Sequence, residues 1–124
     1  MVVDPKERMH NWFILHKTVD FLKKDLDCSK DAPLRLPFAL TESIRLIGST
    51  AYAAERASAK ELKITGIRLL KEFYDQREYF VVWSYRGETH LLRLHENAVR
   101  IQVQKRVQEF IEKIFSRREK MSLD

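Results

Sequence analysis

Between Glu78 and Leu94 the chain carries its densest apolar stretch. The run Glu78-Tyr79-Phe80-Val81-Val82-Trp83-Ser84-Tyr85 is answered, across Arg86-Gly87, by His90-Leu91-Leu92-Arg93-Leu94. Aromatic and β-branched residues at this density favour strands, and a short polar turn between two such runs predicts a hairpin. With Arg86-Gly87 as the turn, Trp83 faces His90, Val81 faces Leu92 and Tyr79 faces Leu94. That register puts Tyr79, Val81, Trp83, Tyr85, Leu92 and Leu94 on one side of the ribbon. Phe80, Val82 and Leu91 fall on the other, so both faces carry apolar groups. A ribbon of this kind marks the centre of a core, and two strands alone are marginal, so a third is expected.

The flanking segments supply helices. Asp4, Pro5 and Glu7 form an Asp variant of the capping box. Behind it Trp12, Leu15, Val19, Leu22 and Leu26 recur at helical spacing. Phe13, Ile14 and Phe21 lie off that stripe, so the first helix is either wedged between other elements or meets a second chain. The stretch Asp27-Cys28-Ser29-Lys30-Asp31-Ala32-Pro33 is expected to end it. A second helix is expected from Pro37 to about Ser58, with Leu40, Ile44, Ile47, Ala51 and Ala54 on its apolar face. Ser49, Ala53 and Ala57 add a stripe of small side chains that permits close approach by another element.

Residues 59–75 fit two patterns. Ser58-Ala59-Lys60-Glu61 reads as a capping box ahead of a helix, but Lys63-Ile64-Thr65-Gly66-Ile67 is a poor helix interior. A third strand over 64–73 is the better fit, with Asp75-Gln76 as its turn. The last element is an amphipathic helix after Asn97, with Val99, Val103, Val107, Phe110, Ile111, Ile114 and Phe115 on one stripe. The fold class expected is α+β in one domain, 1–124: two N-terminal helices, a small antiparallel sheet (hairpin 78–94, third strand 64–73) and a C-terminal helix.

Few chemistries find their residues here. The four histidines, His10, His16, His90 and His95, have no metal-ligand spacing, and the single Cys28 rules out an internal disulfide. That cysteine follows a helix end among Asp25, Asp27 and Asp31, a poor setting for a thiolate. No nucleophile elbow or phosphate loop is present, and the three glycines, at 48, 66 and 87, draw no nucleotide cradle. Neither catalytic residues nor a metal or cofactor is expected. The N-terminus has no signal-peptide pattern and no segment approaches the roughly 20 apolar residues of a membrane span. A cytoplasmic, reducing location follows as the expectation.

The net charge of +5 is unevenly spread. Residues 1–34 hold six basic and six acidic side chains, whereas residues 93–120 hold eight basic against four acidic. Arg86, Arg100, Lys105, Arg106, Arg117, Arg118 and Lys120 are therefore the candidate contacts for a polyanion. One parse, with 59–75 as a recognition helix and 78–94 as a wing, resembles winged-helix regulators in order of elements; another stacks single-stranded bases on strand aromatics. Glu109, Glu112 and Glu119 interrupt the basic face, and Glu61, Glu72 and Asp75 would spoil the recognition helix. Nucleic-acid binding through 93–120 is thus the alternative. The favoured expectation is a non-enzymatic interaction or regulatory protein that binds another protein and pairs as a homodimer. Its candidate self-association residues are Phe13, Ile14, Phe21, Ser49, Ala53 and Ala57.

Overall fold

A computed structural model describes residues 4–29 and 37–122 and shows three helices over a three-stranded antiparallel sheet. The order is α1 (Pro5–Ser29), α2 (Pro37–Thr65), β1 (Arg68–Asp75), β2 (Glu78–Tyr85), β3 (Glu88–His95) and α3 (Glu96–Ser122). The expected α+β class and element order hold. None of the described helices is long and apolar enough to cross a membrane.

Asp4 caps α1 as its sequence implies: its Oδ1 accepts the Lys6 and Glu7 amides at 3.1 and 3.4 Å. Met9, Trp12, Phe13, Ile14, Leu15 and Leu22 are all buried along α1, which is wedged between α2, α3 and the sheet. Of the two expected explanations for its broad apolar surface, the chain's own elements supply the cover.

The second helix runs seven residues past the expected end at Ser58, and the third strand starts at Arg68 rather than at 64. Ser58 is a buried position inside the helix, not a cap. The awkward Ile64-Thr65-Gly66 stretch is a helix terminus. The Gly66 amide bonds the Lys63 carbonyl at 3.2 Å and the Ile67 amide bonds the Leu62 carbonyl at 2.9 Å. Together these make a Schellman cap, with Gly66 at φ 86° and the accompanying apolar pair Leu62 and Ile67 both buried. A Cβ added at Gly66 would meet nothing within 4 Å, so only backbone conformation opposes a side chain there. Gly66→Ala should therefore cost about 1–2 kcal/mol, the left-handed penalty alone; chemical denaturation would show it as a lower midpoint at unchanged slope.

Strand β2 is central, and its pairing with β3 has the expected register, Trp83 opposite His90, Val81 opposite Leu92 and Tyr79 opposite Leu94. The β1–β2 turn is Gln76-Arg77, one residue later than expected, and both residues have positive φ, as do Arg86 and Gly87 in the second turn. Two such residues in a row form the two-residue hairpin turn whose twist suits antiparallel strands. In β1 the register shifts between Leu69 and Lys71, leaving Leu70 as the extra residue of a bulge. The bulge resets the alternation, so that Glu72 turns inward and Lys71 and Phe73 turn outward.

The core joins Met9, Trp12, Phe13 and Ile14 of α1 to Leu62, Ile67, Val81, Trp83, Leu92, Val99 and Val103. The inward side of the sheet thus carries the helices. The expected cap at Asn97 is replaced by one residue pair upstream: α3 begins at Glu96, and the Asn97 amide donates to His95 Nδ1 at 3.1 Å.

Candidate interaction surface

The residues expected to form a seam between copies separate into two groups. Phe13 and Ile14 are 0% and 2% exposed, and Phe21 is half-buried against the core. Phe13 and Ile14 are committed to the chain's own interior, and their burial excludes an interface through either, whereas Phe21 keeps part of its surface exposed. Ser49, Ala53 and Ala57 do lie exposed along α2.

The basic set does not converge either. Arg86 sits at the β2–β3 turn with its guanidinium 5.1 Å from the Tyr85 ring centre, at the far end of β3 from the start of α3. Arg100 and Lys105 are exposed on α3, while Arg106 is half-buried, donating to Asn11 of α1 and, at 3.3 Å, to Glu109. The side chains of Arg117, Arg118 and Lys120 lie outside the described residues.

Apolar surface is left over on the outward side of the sheet. The face carries Lys71, Phe73 and Asp75 from β1, Glu78, Phe80 and Val82 from β2, and Leu91 and Arg93 from β3. Leu91 and the bulged Leu70 are each 56% exposed and Phe73 is 40% exposed, large values for side chains of this size. The rings of Phe73 and Phe80 are nearly parallel, 11° apart, with centres 4.8 Å from one another. That spacing matches the distance between neighbouring strands, so the rings stand on edge from the sheet and face one another. Arg93 covers Phe80 at 5.6 Å and Lys71 covers Phe73 at 5.2 Å. Arg93 also donates through Nε to Glu78 Oε2 at 2.8 Å.

Two polar ties hold the sheet in place beneath this face. On the inward side, Lys17 Nζ of α1 reaches Glu72 Oε1 at 2.8 Å, with His16 Nε2 3.6 Å from the other carboxylate oxygen. At one end, Glu96 gathers Tyr74 Oη at 2.6 Å and Arg77 Nε at 2.6 Å, pinning the first turn to the start of α3. The Tyr74 hydrogen bond, then that of Arg77, holds the Glu96 carboxyl below its ordinary range, and the same bond raises the Tyr74 phenol. A depressed carboxylate contributes stability above its unfolded value and loses it as the pH falls through the folded one. Wild-type protein should therefore lose stability more steeply than Glu96→Gln as the pH drops below about 4; thermal melts across that interval would show the two curves converging.

Among the described residues, no group of three or more His, Cys, Asp or Glu side chains is placed to hold a metal ion.

A family model described as YhjD protein matches residues 4–115, taking in the first two helices, the whole sheet and most of α3. The chain belongs to the YhjD protein family. The match includes every residue of the outward sheet face, so that face is part of what the family model spans. No curated protein and no solved structure matches the chain.

Alternation already places Phe80, Val82 and Leu91 together on a second apolar face of the hairpin, surplus that argues for a partner, although the candidate self-association residues all lie on the helices. Phe73 and Leu70 were beyond its reach, because the bulge that orients them is a tertiary event. The available signal was the apolar second face of a hairpin whose first face already filled a core.

Proposed function

We propose that the chain is a non-enzymatic, cytoplasmic interaction protein that pairs with a second copy through the outward face of its sheet. The supporting observation is the apolar centre of that face, where Leu91 is 56% exposed and Phe73 40% exposed beside Phe80 and Val82. A two-fold axis lying between two such sheets and across their strands reverses the strand direction. Passing between the Val82–Leu91 rung and the Phe73–Phe80 rung, it lays each of these rungs over the other of the second copy.

The size of the face sets the strength. Three strands of eight residues span roughly 25 Å by 15 Å, a footprint below the about 800 Å² per partner of a standard stable interface. The dimer is accordingly a concentration-dependent one, dissociating in the micromolar range. Sedimentation velocity from about 5 to about 500 µM should show the mass rise from one chain toward two. Leu91→Glu should hold it at one chain with an unchanged far-ultraviolet spectrum. A wild-type chain that stays monomeric to the top of that range refutes the proposal.

The alternative, a nucleic-acid regulator, has less support. Base stacking needs open ring faces, whereas the faces of Phe73 and Phe80 are taken up by each other and by Lys71 and Arg93. A salt-sensitive affinity for mixed oligonucleotides would revive it.

A further inference from the structure

We infer that the corner where α2 gives way to β1 binds a small anionic molecule with an apolar body. A pocket of about 340 Å³ opens there, at the lower end of the sizes that hold small ligands. Its wall is apolar, formed by Ala59, Leu62 and Leu69. Its charge is not balanced: Arg56, Lys63 and Arg68 line it against the single carboxylate of Glu55.

That carboxylate is already engaged. Glu55 is 8% exposed, its Oε1 accepts the Trp12 indole N–H at 3.1 Å, and its Oε2 lies 3.4 Å from Arg56 Nε. Lys63 and Arg68 have no carboxylate partner among the described residues. A helix end repels an anion through its bare carbonyls, and here two of the four terminal ones, those of Leu62 and Lys63, are occupied by the Ile67 and Gly66 amides, which lessens that repulsion. What the corner presents to solvent is therefore a pair of unneutralised cations beside an apolar wall. A carboxylate or phosphate monoester meets the cations, and the hydrocarbon portion covers Ala59, Leu62 and Leu69.

The site shares only Arg68 with the region of the outward sheet face, so its test avoids that residue. Full-length protein would be titrated with phenyl phosphate, benzoate, inorganic phosphate and benzylamine while the backbone amide resonances of Lys63, Gly66 and Leu69 are followed. Phenyl phosphate, benzoate or both should shift these resonances saturably, and which of them binds more tightly distinguishes a phosphate ligand from a carboxylate. Lys63→Gln should weaken binding roughly tenfold, the weight of one charge-assisted hydrogen bond, and Lys63→Glu further. Binding should persist in Leu91→Glu, which separates this site from self-association. The inference is overturned if neither aromatic anion shifts the resonances by about 10 mM, a generous limit for so small a probe. It is equally overturned if the Lys63 variants bind unchanged, if inorganic phosphate binds as tightly as phenyl phosphate, or if benzylamine binds as well as the anions.

Discussion

Phe13→Ala is expected to lower the unfolding free energy by about 3–5 kcal/mol, a large share of what a domain of this size has. Phe13 is fully buried, its ring meets Tyr79 edge-on with centres 5.8 Å apart, and it belongs to the cluster joining all three helices to the sheet. Truncation there removes the transfer free energy of a ring and leaves a cavity that neighbours on four elements cannot close together. The comparison is Leu91→Ala, another large apolar truncation, but at a position 56% exposed. At concentrations where the chain is monomeric it should change stability by no more than about 0.5 kcal/mol. Urea unfolding of the two variants at low protein concentration checks both values. Equal losses would mean that Leu91 is as well covered as Phe13, and that the outward sheet face is not free surface.

The second large effect concerns the ion pair between α1 and β1. Lys17 has only 12% of its side chain exposed, and its ammonium lies 4.9 Å from the Tyr79 ring centre and 5.5 Å from that of Phe13, besides the bond to Glu72. Glu72→Gln removes the carboxylate charge and leaves a largely desolvated cation among rings. Because Glu72 itself is partly open to water, the loss should fall at or just below the lower limit for fully buried pairs, about 2–3 kcal/mol. Replacing both partners, Lys17→Met with Glu72→Leu, should come close to neutral, since an apolar pair of similar volume has no desolvation to overcome. A double-mutant cycle would report the coupling directly, and additive single losses would show that the two groups act independently. The inward carboxylate also suits an edge strand: a charge directed under β1 discourages wrong pairing along its open side.

These two predictions mark where local pattern was a sound guide and where it was not. The hairpin register, the α1 cap and the α+β order all followed from short-range features: alternation, an N-terminal Asp-Pro-Lys-Glu and a tight turn. The end of α2 did not. Ile64-Thr65-Gly66 looked unfit for a helix because glycine and β-branched residues weaken one, yet the same glycine is what terminates it through positive φ. Propensity marks the difficulty but does not distinguish a helix stopping from a strand starting.

The candidate surface was legible only in part, for a related reason. Counting apolar residues on α1 showed an excess over one stripe, but whether neighbours absorb that excess depends on how many elements pack around the helix. Three do, so Phe13 and Ile14 became interior. Among the described residues the second face of the hairpin has no such cover: the elements packed on the sheet meet its other side.

Alternation along the hairpin strands and the start signal of α1 were inscribed in the order of residues, because each depends on neighbours a few positions away. Which apolar groups stay wet was settled by packing, through the bulge at Leu70 and the wedging of α1. Burial is a property of partners brought from distant parts of the chain, and no local spacing encodes it.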